Sequence, residues 1–208
     1  MGEVRDVLEQ VSALRRAGYR RVKMKVAPGS GFEAVRAVRR AHPELFITLD
    51  ANQSYTERDI DELRSCDDLG IGWIEEPLAP RRADSVGRRD VTVRLALLQR
   101  KIATPVCVDE SFTTMEEACR IFAHSDLKCV SMKIGKFGGV EPALRFIVEA
   151  QLRGCEVWMS GMYDTGVARR VLASFETLPG VIMPGDIGEP TLYFDEDVTD
   201  PPYEVRGG

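Results

Sequence analysis

Three times the sequence runs through an apolar, β-favouring stretch and ends it on an acid: Phe46-Ile47-Thr48-Leu49-Asp50, Gly72-Trp73-Ile74-Glu75 and Pro105-Val106-Cys107-Val108-Asp109. Helical patterns fall between the runs. Strands that read as continuous apolar runs are covered on both faces, as in a parallel sheet. The carboxyl ends of such strands are where α/β proteins gather their chemistry. Three carboxylates delivered to one rim make an oxygen-only donor set, suited to a hard cation such as Mg²⁺.

Around these runs strand and helix alternate. A helical period over Val4–Ala17 stops at Gly18, and Arg21–Val26 reads as a strand. Helices are expected over Phe32–Ala41, Thr56–Arg64, Val91–Lys101, Met115–Ala123, the stretch ending at Arg153, and Thr165–Leu178. Further strands fall at Cys129–Lys133, Glu156–Ser160 and Val181–Met183, and the longest irregular stretch at Pro77–Asp90. Alternation at this spacing argues an α/β fold with a parallel sheet, and so many units in one chain favour a TIM-like (β/α) barrel over an open doubly wound sheet. The strand count is seven, and an eight-stranded barrel would need another strand before Val4. The expectation is an incomplete barrel over residues 1–187, first strand missing, with an irregular tail over 188–208.

Composition removes several functions. The net charge of −5 and the scattered arginine pairs (Arg15-Arg16, Arg39-Arg40, Arg88-Arg89, Arg169-Arg170) give no basic face for nucleic acid. No apolar run approaches the ~18 residues of a membrane helix, and no signal peptide opens the sequence. Five widely spaced cysteines without a Cys-x-x-Cys fit a reducing cytoplasm.

Lys23 and Lys25 sit two apart in a strand, so both point to one face. On an edge strand that face would be solvated. In a barrel it is the interior, where lysine is rare unless paired. Lys133 repeats the anomaly at the end of a later strand, and with three strand-end acids the inward reading gains weight.

The order Lys23-Met24-Lys25, Leu49-Asp50-Ala51-Asn52, Trp73-Ile74-Glu75-Glu76-Pro77-Leu78, Val108-Asp109-Glu110-Ser111, Lys133-Ile134-Gly135-Lys136-Phe137-Gly138-Gly139 resembles the enolase superfamily and its muconate lactonizing subgroup. Gly161-Met162-Tyr163-Asp164-Thr165-Gly166 and Met183-Pro184-Gly185-Asp186-Ile187 look most like o-succinylbenzoate synthases and N-acylamino acid racemases. The resemblance implies that Asp50, Glu75 and Asp109 hold Mg²⁺ (or Mn²⁺), which binds both oxygens of a small-molecule carboxylate substrate. Removal of the α-proton then gives an enediolate, with the metal where charge develops. Lys25 would be the base, with Lys23 beside it. Lys133 would stand on the opposite face, as a cation in a β-elimination or as the second acid/base in a racemisation.

Asn52, Glu110 and Asp164 are candidates for contacting substrate or supporting the ligands, and Glu76 has the same supporting reading; Asp164 stands where relatives often have Glu. The Gly135–Gly139 run lacks the Ser or Thr of a phosphate loop and reads as a tight turn. His42 and His124 receive no role. Relatives carry an N-terminal capping domain that selects substrate, for which this sequence shows no counterpart. Two readings therefore stand: a lyase or racemase (dipeptide epimerisation included) whose missing part is not in this chain or is supplied by a separate capping polypeptide, or a barrel that binds Mg²⁺ or a partner and turns nothing over; a homo-oligomer is a further candidate assembly.

Overall fold

The computed structural model describes residues 3–29, 32–81, 85–124 and 126–207. Its elements alternate as α1 (Val4–Arg16), β1 (Arg21–Lys25), α2 (Glu33–Ala41), β2 (Phe46–Asp50), α3 (Ile60–Arg64), β3 (Ile74–Glu75), α4 (Ser85–Gln99), β4 (Val106–Val108), α5 (Met115–Phe122), β5 (Cys129–Met132), α6 (Val140–Leu152), β6 (Glu156–Ser160), α7 (Gly166–Phe175) and β7 (Val181–Asp186). The seven strands follow one another in sequence order in one sheet. That is the incomplete TIM-like (β/α) barrel expected from the sequence. The chain divides into two compact units, Met1–Phe112 with His124–Leu127 and Gly207–Gly208, and Thr113–Ala123 with Lys128–Arg206.

In the first unit the apolar runs become strands buried on both faces. Ile47, Leu49, Ile74, Val106 and Val108 are fully buried, and so is Thr48 between them. Parallel registers set Lys25 beside Asp50, and Asp50 beside Glu75. Gly72 precedes β3 because a side chain there would strike the Phe46 ring, which meets Trp73 edge-on at 5.6 Å. Arg21 lies 5.1 Å over the Trp73 ring and is buried with it.

Two helix starts differ from the sequence expectation. The helix placed at Thr56 opens as a 3-10 turn over Glu57–Asp59, and α3 begins only at Ile60. Thr56 and Asp59 form a reciprocal capping box that tightens this turn. The stretch read as irregular through Asp90 is helical from Ser85. Extending a helix backwards from the buried Val91, Leu95 and Leu98 adds one hydrogen bond per residue without a new nucleus. Glu57, Arg81, Asp90 and Arg94 close the loop before α4 with alternating ion pairs, Arg81 lying 3.4 Å from Glu57 and 3.6 Å from Asp90.

In the second unit, α5 is capped by Thr114, whose hydroxyl accepts from the Glu117 amide at 3.2 Å. α6 buries Ala143, Phe146, Ile147 and Ala150, and Phe146 stacks on Phe122 and Phe137 at 5.4 and 4.6 Å. β7 runs to Asp186, beyond the expected Met183, and takes Pro184 and Gly185 into the strand. It is the last strand of the order, where proline costs no ladder bond that a neighbour needs. In the tail, Pro190–Leu192 forms a 3-10 turn. Asp197 accepts from the amides of Gly166, Val198 and Tyr203 and the hydroxyl of Thr199, which fastens the tail to the start of α7.

Candidate active site

The ends of β1 to β4 place the lysines and acids of the first unit together. Lys25 Nζ donates to Asp50 Oδ2 at 2.8 Å, and Lys23 Nζ lies 3.5 Å from the same oxygen. The Asp50 side chain is 4% exposed, that of Lys23 22% and that of Lys25 62%. Both ammonium groups therefore reach one buried carboxylate, which a solvated lysine face would not do. Lys25 also makes a short hydrogen bond to Asn52 Oδ1, and Asn52 Nδ2 donates to Glu110 Oε1 at 3.1 Å. Asn52 thus links the base candidate to the loop after β4.

Glu75 is 1% exposed and shares a hydrogen bond with Asp109. Burial, then the Asp109 carboxyl beside it, holds the Glu75 carboxyl well above the usual carboxylate range. Its Oε2 has no hydrogen-bond partner.

The strand ends turn sharply to present these groups. Asn52 and Gln53 follow Asp50 with φ of 41° and 59°, and Glu76 follows Glu75 with φ of 38°. Non-glycine residues rarely adopt this region, and such backbone persists where its surroundings over-determine it. Here they do: the Gln53 amide donates to Glu76 O at 2.8 Å and the Tyr55 amide to Pro77 O at 2.9 Å.

Glu76 does more than its adjacency to Glu75 suggested. It is fully buried, and its carboxylate accepts from the Asp109 amide at 2.8 Å, from the Ser111 amide at 3.3 Å and from the Ser111 hydroxyl. Burial pushes its carboxyl up to about 7. The side chain thereby fixes the backbone that carries Asp109. The available signal was the Glu75-Glu76 doublet with Ser111 two residues past Asp109.

As the side chains stand, no three acidic, histidine or cysteine side chains among the described residues form a metal-holding group. Asp50 is turned to the lysines, while Glu75 and Asp109 face each other. The donor set still fits a hard divalent cation. It consists of three buried carboxylates, one with an unpartnered oxygen, and two of them in a contact that nearby positive charge would relieve.

The remaining candidates lie in the second unit. Lys133 directly follows β5, is half-buried, and precedes a 3-10 turn over Ile134–Phe137. Gly138 and Gly139 then adopt φ of 80° and 132° and open α6, so the glycine run is a turn as expected. Asp164 accepts from the Met162 amide at 2.6 Å and lies 3.9 Å from Arg169. Arg169, 2% exposed, donates to the carbonyls of Met162 at 2.8 Å and Asp186 at 3.4 Å. Gly161 leaves room for that guanidinium. The two late motifs thus meet at one buried arginine, a residue the sequence reading passed over. His42 makes a 3.2 Å contact with Ser12.

Residues 6–208 match the family described as Enolase C-terminal domain-like. The sequence is similar to an N-succinylamino acid racemase of Thermus thermophilus, 35% identical over 99% of this chain and 53% of that protein. It is also similar to an o-succinylbenzoate synthase of Geobacillus stearothermophilus, 34% identical over 99% of this chain and 52% of that protein. A solved structure described as a probable mandelate racemase of Alicyclobacillus acidocaldarius superposes with a TM-score of 0.90 at 34% identity, covering 100% of this chain and 52% of that one. The chain therefore spans about half the length of the relatives it matches.

Proposed function

Since the chain belongs to the Enolase C-terminal domain-like family, we propose that it carries the acid–base half of an enzyme that removes a proton α to a carboxylate. The reaction is o-succinylbenzoate synthesis, a dehydration in menaquinone formation, or racemisation of an N-acylamino acid; dipeptide epimerisation is the nearest alternative. The observation that carries this reading is the row Lys25, Asp50, Glu75 in adjacent strand registers, with Lys23 on Asp50 and Asp109 on Glu75.

Asp50, Glu75 and Asp109 would hold Mg²⁺ or Mn²⁺. When bound, the cation supplies positive charge at the substrate carboxylate, where the second negative charge develops. Lys25, as the neutral amine, accepts the α-proton and becomes the ammonium: its side chain is the more exposed of the pair, and Asn52 Oδ1 and Asp50 orient its nitrogen. Lys23, largely buried, holds the Asp50 carboxylate in place. Glu76 holds Asp109, and Asn52 ties the Lys25 group to Glu110. Lys133 takes the second role, as a cation in the elimination or as a proton donor and acceptor in the racemisation. The substrate selector would lie in polypeptide other than residues 1–208, corresponding to the half of each relative that this sequence does not match. A barrel that binds a cation or partner without turnover is the second reading, favoured by the finding that no three acidic, histidine or cysteine side chains among the described residues stand as a metal-holding group.

The test is exchange of the α-proton of an N-succinylamino acid in D₂O, followed by NMR with Mg²⁺, on the chain joined to the N-terminal half of the Thermus relative. Lys25→Ala should lower exchange by roughly 10²–10⁴-fold. Its stability should change by less than about 0.5 kcal/mol, because the side chain is exposed. Lys133→Arg should abolish exchange of one enantiomer in a racemase, since arginine cannot be deprotonated, and leave part of the activity in a synthase. Unchanged exchange in Lys25→Ala would end the acid–base reading.

A further inference from the structure

The second unit carries a face that its own fold leaves open. Opposite its buried side, α6 presents Val140, Leu144, Val148 and Leu152, all exposed, up to 76% at Leu152. Spaced four apart, they form one inclined row along the helix surface. Single exposed apolar residues are ordinary, whereas contiguous ones mark interaction surfaces. One residue further on runs a second row, Glu141, Arg145, Glu149 and Arg153, in which Arg145 pairs with Glu141 and Arg153 with Glu149. Leu144 and Val148 also line an open groove with Met115 and Cys119 of α5.

We propose that this face is a homodimer interface, in which α6 packs antiparallel on α6 of a second copy about a twofold axis. The order of the residues argues for it. Across a twofold axis perpendicular to the helix, each row meets its own reverse. The charge row alternates acid, base, acid, base, so its reverse is its complement. Glu141 then meets Arg153 of the second copy, and Arg145 meets Glu149 of the second copy. The apolar row is complementary in the same sense: Val140 falls opposite Leu152 and Leu144 opposite Val148, smaller against larger at each step. The groove beside α5 receives the leucines of the second copy.

Sedimentation equilibrium of the 208-residue chain at low salt should show a reversible monomer–dimer equilibrium. Arg145→Glu with Arg153→Glu makes the row wholly acidic and should weaken the dimer by about 100-fold or more. Swapping all four charges (Glu141→Arg, Arg145→Glu, Glu149→Arg, Arg153→Glu) inverts the row and leaves it self-complementary. That variant should dimerise with itself and refuse mixed dimers with the unaltered chain, read by fluorescence transfer between labelled copies. Circular dichroism reports folding, and the swap keeps every pair within the helix, so it remains informative if the double variant unfolds. A chain monomeric at every concentration, a dimer indifferent to the double reversal, or free mixing of swapped and unaltered copies would each overturn the proposal.

Discussion

Both units bring charge to the carboxyl ends of their strands, and they use it differently. In the first, Lys23 and Lys25 crowd one oxygen of Asp50, Glu75 and Asp109 press together, and Glu75 keeps an oxygen without a partner. The backbone beneath is in the left-handed region at Asn52, Gln53 and Glu76. In the second, Arg169 is aimed at the carbonyls of Met162 and Asp186, with Tyr193 5.9 Å from its guanidinium. Although its Nε is left without a hydrogen-bond partner, its contacts with the two carbonyls, with Asp164 and with the ring tie the segment after β6 to β7. Two ammonium groups on one carboxylate and two carboxyls held together, on strained backbone, work against stability, a pattern that clusters where proteins do chemistry.

Removing each kind of charge should break this contrast most visibly. Arg169→Met takes the shared donor from the part-buried carbonyls of Met162 and Asp186 and the ion-pair partner from Asp164, and should cost about 3 kcal/mol in denaturant unfolding. An Arg169→Met chain as stable as the parent would erase the distinction between the units.

A gentler probe sharpens it. Mg²⁺ at about 100 times its Kd should stabilise the chain by roughly 2.7 kcal/mol. The added hydrogen-exchange protection should be confined to the ends of β2, β3 and β4 and lost in Glu75→Gln. Protection appearing first at the ends of β6 and β7 would place the cation elsewhere.

The smallest effect concerns a charge with an ordinary structural partner. The Arg94 guanidinium lowers the Glu57 carboxyl from 4.5 to about 2. A depressed acid stabilises the fold above its unfolded value and loses that contribution as pH falls through the folded one. The Glu57 side chain is 44% exposed, so Glu57→Gln should cost about 1 kcal/mol or less at pH 7. The difference from the parent should fade between pH 4.5 and about 2. A constant difference across that range would mean that the pair contributes packing and not charge.

The sequence revealed the parts of the molecule that depend on burial alone. Continuous apolar runs disclosed β2 and β4, because strands covered on both faces tolerate no alternation. Acids at the run ends, and lysines two apart, pointed by the same logic to groups that the strand ends hold close, Lys23 and Lys25 on Asp50 and Glu75 on Asp109. Contacts between strands could not be read. Glu76 braces Asp109, 33 positions away, and Arg169 bonds to Asp186, 17 positions away. The arginine pairing has no local signature, and the Glu76 brace had only the Glu75-Glu76 doublet and Ser111 near Asp109 to hint at it. The start of α4 at Ser85 was hidden because its first turn is polar and held by cooperativity with the apolar turns that follow.

The left-handed residues after Asp50 and Glu75 limit what mutation can explore. Any β-branched side chain at Asn52 or Glu76 would be forced into a region it does not tolerate. Glycine alone enters that region freely, but it would remove the amide that links Lys25 to Glu110, or the carboxylate that holds Asp109. A library randomised at these two positions should therefore return a narrow alphabet, even when selected only for solubility. The rim is constrained first by its backbone, and new specificities are more accessible through segments that leave both turns untouched.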